Sequence, residues 1–144
     1  MRVVIVSGSS GSGKSSALNQ LEDLGYYCVD NLPIALVSFL IEHFSKQSYQ
    51  THQGLAICID IRTEDAGVTD FRDYLRALRE GLEIQLIFFD ATAQALGKRF
   101  NETRRRHPLS VSGRSLADAI ALERVVLEPL VAASDLVVDT SEMS

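Results

Sequence analysis

The residues with the plainest chemistry are Gly8-Ser9-Ser10-Gly11-Ser12-Gly13-Lys14-Ser15, which match the spacing G-x-x-x-x-G-K-[ST] of a phosphate-binding loop. Glycines let the backbone turn tightly, so that successive N–H groups can point inward at phosphate oxygens. Lys14 is placed to reach β- and γ-phosphates, and the Ser15 hydroxyl to take a position on Mg²⁺. The motif carries weight only between a strand and a helix. Arg2-Val3-Val4-Ile5-Val6 is a β-branched run suited to a strand buried on both faces. From Ser15 to Leu24, Ala17, Leu18, Leu21 and Leu24 recur at helical spacing, and Gly25 is suitably placed to end that helix.

Four acids stand at or beside the ends of apolar runs: Asp30, Asp60, Asp90 and Asp139. Asp60, after Ile57-Cys58-Ile59, fits a Walker B arrangement in which a strand delivers a carboxylate toward Mg²⁺, against the plainer reading of a loop cap. Asp30 closes the strand after the phosphate-loop helix. There it could serve as a base or substrate ligand of a small-molecule kinase, or it could cap the next helix, and the residues leave both open. Asp90 and Asp139 are read as structural.

Lys98, Arg99, Arg104, Arg105, Arg106 and Arg114 crowd one short segment in which Glu102 is the sole acid. This cluster reads in three ways: a solvated helix face, a lid whose arginines offset the charge of a transferring phosphoryl group, or a contact with an RNA backbone. The absence of tryptophan, and of aromatics interleaved with the basic residues, weakens an RNA-binding module of the usual kind. The segment 107–113, with Pro108 and Gly113, is expected to be a mobile loop.

The elements that must position these groups follow in order. Tyr26-Tyr27-Cys28-Val29 is a second strand, closed by Asp30-Asn31-Leu32-Pro33; Asp30 or Asn31 is expected to cap a helix opening near Pro33 and carrying Leu36, Leu40 and Phe44. Residues 45–53 are polar and aperiodic, a loop, and Leu55 to Asp60 form a third strand. Phe71, Tyr74, Leu75, Leu78 and Leu82 give a helix face, Ile84 to Phe89 a fourth strand, and a helix from about Thr92 runs into the arginines. Ser115 with Asp118 resembles a capping box for a helix bearing Ala119, Leu122, Val126 and Leu130, which Pro129 is expected to bend or end. Leu136-Val137-Val138-Asp139 is a fifth strand. Strands alternating with helices predict an α/β fold: a parallel sheet of about five strands with helices on both faces, and ligands beyond the carboxyl ends of the strands.

Length and composition agree. The 144 residues fit one domain, and 46% hydrophobic with 23% charged residues is ordinary for a globular chain. No run approaches the length of a membrane span, so a membrane or secreted location is not expected. The net charge of −5 argues against a surface that is basic throughout. Cys28 and Cys58 each lie in a strand-like run and read as buried reduced thiols. Thr140 to Ser144 look like the entry to a further helix, so the chain is expected to be a truncated one, an N-terminal domain cut from a longer protein.

Several blocks also resemble the N-terminal domain of the RapZ family, the P-loop RNase adapter proteins, with their YvcJ-type nucleotide-binding relatives. They are Val6 to Ser15, Leu21 to Pro33, Glu102 to Leu109 and Asp135 to Ser141, and Cys-Val-Asp-Asn-Leu-Pro and Thr-Arg-Arg-x-His-Pro-Leu are more specific than the phosphate loop itself. The resemblance implies a kinase-like P-loop NTPase fold, binding of ATP or GTP with Mg²⁺, weak hydrolysis and a cytoplasmic location. It further implies a second nucleotide-binding tetrad at Asp60-Ile61-Arg62-Thr63, where Thr63 departs from the family's Asn. For the full-length parent it implies self-association, and binding of small RNAs controlling glucosamine-6-phosphate synthase together with RNase E, with RNA and metabolite binding mainly in a C-terminal domain. Two functions stand: a regulatory nucleotide-binding module, and a small-molecule kinase using Asp30 as base and Arg104, Arg105 and Arg106 as lid.

Overall fold

The structure, a computed structural model, describes residues 2–9, 11–46, 52–60, 76–78, 83–103 and 115–142, with the side chains of Lys46, Asp60 and Thr103 outside that description. Five strands, β1 (Arg2–Gly8), β2 (Tyr26–Pro33), β3 (Gly54–Asp60), β4 (Glu83–Asp90) and β5 (Leu136–Asp139), form one parallel sheet in the order β2-β3-β1-β4-β5. The helices are α1 (Lys14–Asp23), α2 (Val37–Lys46), α3 (Ala93–Thr103) and α4 (Leu116–Ala133), with a single 3₁₀ turn at Ile34–Leu36.

Two apolar layers explain why β1 and β3 are hydrophobic along their whole length. Val3, Ile5, Leu55, Ile57, Ile59, Leu86 and Phe88 face α2 and α4 through Val37, Ile41, Phe44, Leu127 and Leu130. Val4, Val6, Ala56 and Cys58 face Leu18 of α1 on the opposite side. The distribution follows from handedness. The crossover from β1 to β2 runs one way across the sheet and the later crossovers run the other, so right-handed connections put α1 on one face and α2 and α4 on the other.

Several expectations change in detail. Neither Asp30 nor Asn31 caps a helix: β2 continues through both to Pro33, and the 3₁₀ turn opens on Pro33 without a side-chain cap. The register of β2 on β3 slips between Val29 and Leu32, so Asp30 and Asn31 sit at a bulge, with Asn31 at φ 54°. The edge position of β2 tolerates Pro33, which has no N–H to donate. Nor does Pro129 end α4, which runs on to Ala133, because Leu127 and Leu130 on either side are buried and hold the helix to the sheet. The Ser115 hydroxyl accepts the Asp118 N–H at 3.1 Å, as a capping residue should. Of the helix expected around 71–82, residues 76–78 are helical and Leu78 packs on the larger core, while the rest lies outside the described residues. No described helix is long and apolar enough to cross a membrane.

Candidate nucleotide site

The connection leaving β1 turns toward β3 and β2, whereas that leaving neighbouring β4 turns toward β5. Their carboxyl ends diverge, and a doubly wound sheet opens its ligand crevice at such a switch point. The glycine-rich loop fills this position. Gly8 pairs with Phe89, and a Cβ on Gly8 would stand 2.2 Å from the Phe89 carbonyl oxygen. That is close approach of the kind only glycine permits. Ser9 N donates to the same carbonyl at 3.2 Å, and the Ser9 hydroxyl lies 3.4 Å from Asp90 Oδ1.

The loop runs directly into α1, whose first turn receives no side-chain cap and contains no acid. Gly13, at φ 101°, makes the turn into the helix. An uncapped N-terminus leaves N–H donors and the positive end of the helix dipole available to an anion. The Ser12 hydroxyl is fully buried and has no hydrogen-bond partner among the described residues. Lys14 Nζ donates to Gly8 O at 3.0 Å, so the cation rests on its own loop. These groups fit a polyphosphate, with Lys14 and the first-turn N–H groups as donors. Ser15 is exposed on that turn. Asp60 ends β3 two residues beyond the Val6–Cys58 pair.

Asp30 comes near the same opening from β2. Its Oδ1 accepts the Asn31 N–H at 2.8 Å, and its carboxylate shares a hydrogen bond with the Cys58 thiol. Burial is the main cause that pushes Cys58 up to about 11, opposed by the Lys14 cation and reinforced by Asp30. Lys14, Cys58 and Asp30 therefore share one corner of the sheet. Cys28 is half-buried, its Sγ 3.4 Å from Leu18 O, and its pKa is raised by burial first and by Glu22 second.

Two residues to which the sequence reading gave no such role, Arg99 of the basic cluster and Thr140, brace the loop from the other side. Arg99 leaves α3 toward the loop. Its Nη1 donates to Gly11 O at 2.9 Å and to Thr140 Oγ1 at 3.1 Å, and its Nη2 donates to Thr140 O. Thr140, just past β5 and 5% exposed, places its hydroxyl 2.7 Å from Ser12 O and 3.2 Å from Asp90 O, while its N–H donates to Asp90 O at 2.8 Å. Asp90 accepts the Ala91 N–H at 2.8 Å and pairs with Arg124 of α4 at 2.6 Å. The Asp139 carboxylate accepts the Ser141 hydroxyl and N–H, which lowers its pKa. Lys98, one residue before Arg99, pairs in solvent with Glu102 at 3.9 Å. Ser10, Ile61, Arg62, Thr63 and Arg104 to Arg106 lie outside the described residues, as do 107–113.

Known proteins agree with this architecture. A shikimate kinase from Bacteroides thetaiotaomicron superposes with a TM-score of 0.59 at 12% identity, over 99% of this chain and 89% of that one. A gluconokinase from Sinorhizobium meliloti superposes at 0.55 with 19% identity, over 96% and 82%. At such identities the likeness shows the fold alone, a kinase-like P-loop fold. Proteins named as nucleotide-binding proteins from Hahella chejuensis and Vibrio cholerae are 46% and 47% identical over the whole of this chain, and cover 51% and 50% of their own lengths. The chain thus spans about half the length of the curated relatives it matches. The family model described as the RapZ-like N-terminal domain matches residues 1–144, and the chain belongs to that family.

Proposed function

We propose that this domain binds a nucleoside triphosphate, ATP or GTP, with Mg²⁺, and hydrolyses it weakly. The observation that carries the reading is the glycine loop at the β1–β4 switch point, with an uncapped α1 behind it and Lys14 beside it. Asp60, with Ile61, Arg62 and Thr63 after it, is the proposed second contact, supplying a metal carboxylate. The relatives from Hahella chejuensis and Vibrio cholerae, named as nucleotide-binding proteins, support nucleotide binding. The test is calorimetric titration of the chain with ATP and with GTP in the presence of Mg²⁺. Saturable binding that weakens in Lys14→Ala is expected; no binding of either nucleotide overturns the reading.

For the full-length protein we propose the role that family membership supports: a cytoplasmic, self-associating RNase adapter whose nucleotide state adjusts a C-terminal half that binds small RNA and RNase E. Recovery of RNA and partner proteins with the full-length parent, with and without nucleotide, tests it. A second reading, a small-molecule kinase, draws on the placement of Asp30 beside Cys58 and Lys14, with Arg104 to Arg106 as its lid. Acceptor-dependent ADP formation well above basal hydrolysis would favour it.

A further inference from the structure

Three parts of the fold meet at one guanidinium. Arg99 of α3 binds the glycine loop at Gly11 O and the end of β5 at both oxygens of Thr140. The Thr140 hydroxyl has a single proton. At 2.7 Å, Ser12 O is its better acceptor than Asp90 O at 3.2 Å, and Arg99 fills the hydroxyl's acceptor side. Arg99 and Thr140 together therefore hold two consecutive loop carbonyls, those of Gly11 and Ser12.

In a trans peptide the C=O and the following N–H point in opposite directions. Holding Gly11 O on Arg99 turns the Ser12 N–H the other way, and it donates to Ser9 O at 3.0 Å, closing the turn. Holding Ser12 O on Thr140 turns the Gly13 N–H away from β5, at the residue that leads into the uncapped first turn of α1. A glycine-rich loop has little conformational preference of its own, so its N–H groups converge only if something fixes the carbonyls.

We infer that Arg99, acting with the Thr140 hydroxyl, is a positioning residue that shapes the phosphate cradle from outside it. The inference rests on the reading that the loop takes a triphosphate. It makes the recognised part the phosphate chain rather than base or sugar. It also ties the loop to the residue at which the chain leaves the sheet.

The test compares Arg99→Gln, Arg99→Lys, Thr140→Val and Thr140→Ser with the unaltered chain, using Mg²⁺ with ATP, GTP or inorganic tripolyphosphate as probes. Thermal melting runs in parallel. Losing either the charge-assisted Arg99 bond to Gly11 O or the Thr140 hydroxyl bond to Ser12 O should weaken binding by about tenfold. Arg99→Gln and Thr140→Val should lose this affinity equally for all three probes, while Thr140→Ser, which keeps the hydroxyl, retains it. Undiminished tripolyphosphate affinity in Arg99→Gln and Thr140→Val overturns the inference. So does a loss confined to the nucleotides, which would put Arg99 on base or sugar, or a loss that merely follows melting temperature across the variants. If Arg99→Gln does not fold, Arg99→Lys and the Thr140 pair decide. Failure of the unaltered chain to bind any probe refutes the nucleotide reading instead.

Discussion

Gly8→Ala is the perturbation that most directly tests how the loop is fixed to the sheet. Gly8 ends β1 at φ 156°, and an added Cβ would lie 2.2 Å from Phe89 O, 2.8 Å from Ser12 Oγ and 3.0 Å from Phe89 C. An ordinary C···O contact is about 3.3 Å or more, so the strand ends must part by about 1 Å. The obstructing atoms include backbone of β4, which cannot rotate aside as a side chain would. Overpacking of this kind costs about 1–3 kcal/mol, and weakening the Ser9 N–H bond to the same carbonyl adds about 1, for a total of about 2–4 kcal/mol. Gly13→Ala is the internal control. Its φ is 101°, but a Cβ there meets nothing within 4 Å, so the cost is backbone strain alone, about 1–2 kcal/mol. Urea denaturation followed by circular dichroism reads both. If Gly8→Ala is no more destabilised than Gly13→Ala at matching m-values, the steric account of the switch point is wrong.

Lys14→Ala removes the cation proposed to meet the β- and γ-phosphates and should cost about 2–3 kcal/mol of triphosphate affinity by calorimetry, whereas unchanged affinity would remove Lys14 from the site. Asp60→Asn keeps shape and removes charge, so hydrolysis should need more Mg²⁺ across a titration; a curve like that of the unaltered chain would make Asp60 a loop cap. Cys58 holds its proton more tightly folded, at about 11 against an ordinary 9.0, so the unfolded chain ionises first. Its contribution, about 2–3 kcal/mol, is whole below about pH 9 and disappears between about pH 9 and 11. At pH 8, iodoacetamide should label half-buried Cys28 before buried Cys58 in the native chain, and equal rates would contradict that burial.

How far the sequence reaches is clearest element by element. Local chemistry carried the strand–loop–helix around Lys14, because the β-branched run, the glycine spacing and the apolar face of α1 are all written within the first 25 residues. The five strands were legible for a related reason: each is an apolar run, and alternation with helices allows few topologies. The path of β2 past Asp30 was not legible. A bulge is settled by what β3 offers across the ladder, and Leu32 and Pro33 find Ile59 and Asp60 there. That Pro129 does not end its helix has the same kind of cause, since burial of Leu127 and Leu130 outweighs one missing N–H.

The brace on the loop was the larger omission. In the chain Arg99 is one of several clustered cations, and Thr140 one of several polar residues after the last strand, although it lies in a block that carried the family resemblance. Nothing local separates Arg99 from Lys98, yet one turns to the loop and the other to solvent. Only the sheet order, which sets β4 beside β1 and β5 beside β4, brings Gly11, Arg99 and Thr140 within hydrogen-bond range across 88 and 41 residues. The sequence by itself determined the strand, the glycine loop and the helix behind it that are proposed to take phosphate, since those are a matter of residue type and short spacing. What holds them in shape was decided by tertiary structure, because carbonyl orientation in a glycine loop depends on partners distant in the chain.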